Sequence, residues 1–101
     1  MSAYVVVEVE VKDPQLYEEY RRRVPEIIAR HGGRYLARGG ETRVLEGEWH
    51  PRRLVILEFG SLEGALRWWD SEDYRPLRAL RERSARTKLV LIDGVREADL
   101  R

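Results

Sequence analysis

Residues 3–12, AYVVVEVEVK, alternate: Val5, Val7, Val9 and Val11 share one side of an extended chain, and Tyr4, Val6, Glu8 and Glu10 share the other. That period of two predicts a strand. The period then changes. Leu16, Tyr17, Tyr20, Val24, Ile27, Ile28 and His31 recur at steps of three and four, the apolar stripe of an amphipathic helix. Asp13 stands as its N-cap with Pro14 at the first helical position. Pro25, lacking an N–H, predicts a kink, and Gly32-Gly33 predicts the end, because glycine accepts the left-handed conformation found there.

Beyond the helix, RYLARGGETRVLEG reads as two short strands around Gly39-Gly40, a hairpin or a bulged strand. RLVILEFG is a further strand. Ser61 caps the next helix and Glu63 favours its positive end. Leu62, Ala65, Leu66 and Trp69 fit i, i+3, i+4, i+7, so Trp69 is expected in the core. Trp68, about 100° away, is expected on the flank, facing a groove beside Tyr74. A break at 71–73 precedes a second helical stripe of Tyr74, Leu77, Leu80 and Ser84, and TKLVLID is the last strand.

The order is β-α-β-β-α-β, which predicts an α+β, ferredoxin-like fold with an antiparallel sheet. Residues 1–95 form a single domain and 96–101 a polar, frayed tail. Helices on one side cover only one face of such a sheet. Yet Val6, Leu54, Ile56, Val90 and Ile92 make the other face apolar too, where an exposed face would read polar. The expected cover is a second copy of the chain, paired through the sheet faces.

The chain has 101 residues, 43% hydrophobic and 37% charged, with no cysteine. It therefore has no disulfide framework, and with no apolar leader or bilayer-length apolar run it is expected to be cytoplasmic, with no membrane partner. Arginine is abundant, but 18 acidic residues balance 19 basic ones to a net charge of +1. That balance argues against a nucleic-acid partner. Arg21-Arg22-Arg23 follow Glu18-Glu19 at spacings that make surface ion pairs on a helix.

DPQLYEEY, GGRYLARGG, LEGEW, LVILEFGSLEGALRWW and SEDYRPLRALR together resemble the domain of unknown function 1330 family, of the dimeric α/β-barrel superfamily. The resemblance runs from about Tyr4 to Asp93. It implies a ferredoxin-like protomer pairing sheet to sheet as a dimeric α/β barrel. It implies no chemistry, since relatives in the superfamily range from cofactor-free monooxygenases and isomerases to haem enzymes and ligand sensors.

Glu8 and Glu58, each mid-strand, are candidate catalytic carboxylates if they come together in the sheet-to-sheet space, where one of a pair keeps a raised pKa. The competing reading is structural neutralisation by Arg34, Arg38 or Arg43. His50, beside Glu46 and Glu48, is a candidate general base; a turn role competes. His31, at a helix C-terminus, reads as structural. Two isolated histidines give no metal site. There is no G-x-S-x-G, no P-loop and no G-x-G-x-x-G, so neither nucleophilic catalysis nor a cofactor is expected.

The aromatic group Tyr17, Tyr20, Trp68, Trp69 and Tyr74 is dense for such short helices. Some of it packs the core. The remainder suits a ligand cleft between helices and sheet, with Trp68, Tyr74, Tyr20 and Arg38 as candidate ligand-binding residues. Three functions follow: a homodimer binding a small apolar or aromatic metabolite, a cofactor-free monooxygenase- or isomerase-like acid–base enzyme, or a structural or stress-related interaction module.

Overall fold

The computed structural model describes residues 1–100. In order they form β1 (Ala3–Val11), α1 (Pro14–Arg30), β2 (Arg34–Arg38), β3 (Leu54–Phe59), α2 (Leu62–Trp69), α3 (Arg75–Ser84) and β4 (Ala85–Asp93). A single 3-10 turn, Glu97–Leu100, stands in the tail that was expected to fray. The sheet order is β2-β3-β1-β4 with every neighbour antiparallel. This is the ferredoxin-like topology, with its second helix split in two.

The local signals act as their chemistry requires. The Asp13 carboxylate accepts from the Leu16 N–H at 3.1 Å and starts α1. At the other end Gly32, at φ 77°, closes a Schellman turn in which the Gly33 and Gly32 N–H groups donate to the Ile28 and Ala29 carbonyls. Gly33 lies so close to the Phe59 ring that a Cβ there would approach it to 2.6 Å. α1 runs unbroken through Pro25. The Arg21 carbonyl, which Pro25 cannot bond, accepts instead from the Arg38 guanidinium. Ser61 caps α2 through the Gly64 N–H at 2.9 Å. The break before α3 is held by Ser71, whose hydroxyl donates to the Trp68 carbonyl and accepts from the Tyr74 N–H.

Only one short strand forms where two were expected. β2 has a bulge between Tyr35 and Ala37, and Gly39, at φ 72°, donates to the Leu54 carbonyl as the chain leaves the sheet. Residues 41–50 are then exposed and irregular. β2 is an edge strand paired on one side with β3, and the 43–47 segment does not fold back onto its other side.

The helices lie on one face of the sheet and bury Val5, Val7, Val9, Val55, Leu57 and Phe59 against Tyr20, Val24, Ile28, Trp68, Tyr74 and Leu77. The molecule is 16 Å thick in its shortest dimension against 47 and 37 Å in the others. The opposite face is bare: Leu36, Val90 and Ile92 are exposed, and Val6, Leu54 and Ile56 half-buried.

Candidate ligand site between helices and sheet

The paired tryptophans divide the opposite way from the sequence expectation. On α2 the buried line is Ala65 and Trp68; Trp68 is 2% exposed, and Trp69 is only partly buried against the core. Leu66 and Trp69 do share an apolar stripe, but it lies about 100° round the helix from the core line and faces a cleft. Trp69 is covered from outside by the Arg78 guanidinium, 3.7 Å from its ring centroid, a cation–π contact that substitutes for core packing. Trp68 stacks between Phe59 and Tyr74, with ring centroids 5.2 and 4.4 Å away.

Behind that stack lies a buried polar chain. The Tyr20 and Tyr74 hydroxyls are 3.0 Å apart, joining α1 to the start of α3. Arg81, seven residues beyond Tyr74 and so on the same helix face, is 3% exposed. Its Nε donates to the Tyr74 hydroxyl at 3.4 Å and its Nη1 to the Thr87 hydroxyl on β4. Burial, then the neighbouring Tyr74, pushes the Tyr20 hydroxyl well above the ordinary tyrosine value. Tyr20 is therefore a neutral phenol at physiological pH.

Two spaces adjoin this chain. A cavity of about 30 Å³, room for one water, lies between helices and sheet. Tyr20, Arg38, Trp68 and Tyr74, the four expected ligand residues, all line it, together with Arg53 and Arg81. Outside it a cleft of about 480 Å³ opens between α2, α3 and the edge strand β4, within the usual range for a small-molecule site. Trp68, Arg81 and Leu89 form a wall common to both; Leu66, Trp69 and Leu91 complete the apolar side of the cleft. Buried polar atoms seldom lack partners, yet Trp68 Nε1 and Arg53 Nε have none among the described residues. Arg38 sits 4.5 Å over the Tyr35 ring and bonds the Arg21 carbonyl, so part of its role is to complete α1.

Glu8, Glu58 and His50 are elsewhere. The even-numbered side of β1 and β3 is the bare face, opposite the aromatic cluster. Glu8 pairs in register with Leu54, and Glu58 with Tyr4, which sets the two carboxylates four residues apart, on the order of 13 Å along the strands. They do not form the expected pair. Glu8 accepts from the Trp49 indole at 3.1 Å. Glu58 bonds Arg34 at 2.6 Å, and that bond, with a further one from Ser2, holds its carboxyl below the usual range. His50 lies in the exposed loop and lines a 240 Å³ surface hollow with Glu8, Glu10, Arg52, Arg86 and Lys88. His31 bonds Asp73 at 3.1 Å. Among the described residues no three His, Asp or Glu side chains gather as a metal ion would require, and no helix is long and apolar enough to cross a membrane.

Arg81, Arg53 and Thr87 were not legible as site residues. The signal for Arg81 is its position: it falls on the stripe set by Tyr74 and Leu77, where a charged residue is unexpected.

A four-stranded antiparallel sheet with its helices packed on one face is a ferredoxin-like fold. The chain belongs to the domain of unknown function family DUF1330, which matches residues 2–95. Among solved structures it is similar to a protein of unknown function from Rhodopseudomonas palustris, at TM-score 0.75 and 17% identity over 94% of this chain and 83% of that one. It is similar also to SnoaB, a cofactor-independent oxygenase from Streptomyces nogalater, at TM-score 0.64 and 13% identity over 94% of each chain. A third likeness is to an antibiotic biosynthesis monooxygenase, at TM-score 0.57 and 15% identity over 95% of this chain and all of that one. At such identities the likeness is one of fold. No match was found among curated proteins.

Proposed function

We propose that the protein is a small-molecule-binding homodimer that holds an apolar or aromatic metabolite in the cleft between α2, α3 and β4. The observation that carries this reading is the wall shared by the two spaces, where a buried indole N–H without a partner meets a half-covered tryptophan and a chain of buried hydroxyls. A second copy covers the bare sheet face, where apolar Val6, Ile56 and Val90 lie between the charged pairs Glu8–Lys88 and Glu58–Arg34, as the same patch on both copies of a twofold pair. Intrinsic tryptophan fluorescence, titrated with a panel of aromatic and aliphatic metabolites, tests the binding. Saturable quenching that Trp69→Ala abolishes supports it, and a panel without saturable quenching counts against it.

A second reading, cofactor-free oxidation of such a metabolite, is supported by the fold shared with SnoaB. It places the reaction beside Trp68 and Tyr74 rather than at Glu8, Glu58 or His50, which lie on the other side of the sheet. Oxygen consumption that depends on a bound aromatic substrate distinguishes it from binding alone.

A further inference from the structure

The wall between the cavity and the cleft has hydrogen-bond donors in excess of acceptors. The recorded bonds of Arg81 use its Nε and Nη1, which leaves the Nη2 hydrogens available. Trp68 Nε1 has no partner among the described residues. The tyrosines supply a third donor by counting. Arg81 donates to the Tyr74 oxygen, and the two hydroxyls share a single bond. Whichever tyrosine donates in that bond, the other keeps a hydrogen with no recorded acceptor among the described residues.

The charge is similarly one-sided. Arg81 is permanently cationic and 3% exposed, yet among the described residues no carboxylate lies within ion-pair distance of it. The cavity is lined by Arg21, Arg38, Arg53 and Arg81 and by no Asp or Glu. The cleft's carboxylate, Glu82, is exposed at its rim and faces Arg78 at 3.8 Å. A buried cation is costly unless it is paired, and the hydroxyls, the Trp69 ring with its centroid 5.9 Å away and the more distant charge of Glu82 leave Arg81 without a carboxylate in direct contact.

We infer that the metabolite is an anion: an aromatic or aliphatic body carrying a carboxylate or a comparable anionic head. The head is set against Arg81, with the Trp68 indole N–H and the spare tyrosine hydrogen as further donors. The body lies in the cleft on Leu66, Trp69 and Leu89. This inference rests on the proposed function and narrows it. A neutral amide of the same shape is discriminated against, because it brings N–H groups to a wall of donors.

The probes are 1-naphthoate and 1-naphthamide, which differ in little but charge. The protein has three tryptophans, so its indole N–H resonances are few, and Trp68→Phe assigns the one that matters. Naphthoate is expected to shift the Trp68 indole resonance saturably and to bind at least tenfold more tightly than naphthamide, with Arg81→Gln removing the preference and Arg81→Lys retaining part of it. The comparison of the two probes on the parent chain decides the matter even if Arg81→Gln fails to fold. Equal binding of both at this resonance overturns the anion inference and leaves the apolar-metabolite reading standing. No shift with either probe overturns both.

Discussion

The Tyr20 and Tyr74 hydroxyls meet 3.0 Å apart across a separation of 54 residues, and both rings are buried. Their bond ties α1 to the break between α2 and α3, the point where the cleft begins. Removing one hydroxyl leaves its buried partner with one hydrogen bond fewer. Tyr74→Phe is therefore expected to lower stability by about 1–3 kcal/mol, and more than Tyr20→Phe, because Tyr74 also accepts from Arg81. Urea denaturation of both single variants and the double variant checks this, with a double-variant loss smaller than the sum of the singles.

The two tryptophans should separate under truncation. Trp68→Ala opens a cavity between Phe59 and Tyr74 and is expected to cost about 3–5 kcal/mol. Trp69→Ala removes a half-covered ring beneath Arg78 and is expected to cost clearly less while abolishing ligand quenching. Thermal melts of the two variants give the order directly.

Asp73 supplies a pH dependence. The neighbouring Ser71 hydroxyl and then the bond from His31 lower its carboxyl from 3.8 to about 2, and Arg30 approaches it at 3.6 Å. A carboxyl lowered on folding contributes stability that is fully present above its unfolded value and is lost as pH falls through its folded one. The contribution is thus expected to fade between about pH 4 and pH 2. Asp73→Asn should flatten the stability–pH curve in that window while leaving a lower plateau near neutrality, as read from urea midpoints at each pH.

The bare sheet face predicts assembly. Sedimentation at low micromolar concentration is expected to show a dimer or a multiple of it. Ile56→Asp or Val6→Asp, each placing a charge among Val90, Ile92 and Leu36, should yield monomers that keep the parent far-UV spectrum. A folded parent monomer at that concentration contradicts the pairing.

What the sequence discloses is mainly what is local. The alternation of β1, the stripe of α1, the Asp13 and Ser61 caps and the glycine stop each depend on a few neighbours, and each is found where the pattern puts it. The sheet order follows from the succession of elements. The faces of α2 do not, because apolar residues cover a wide arc of that helix and only the position of α3 decides which part meets the core. Strand register is similarly hidden: the distance between Glu8 and Glu58 depends on the pairing of β1 with β3, which no pattern within either strand specifies. The aromatic and basic cluster is an intermediate case. Tyr20, Arg38, Trp68 and Tyr74 were legible by type and do line one cavity, whereas Arg81 was masked by the expectation that arginine lies outside.

The most direct test of the central claim, that the helix–sheet cleft is a ligand site, is a crystal structure of the protein soaked with 1-naphthoate. Ordered density is expected in the 480 Å³ cleft, with the ring against Trp69 and the carboxylate within hydrogen-bond distance of the Arg81 guanidinium. A cleft that stays empty at saturating naphthoate, or density confined to the loop side of the sheet near Trp49 and Glu8, contradicts it.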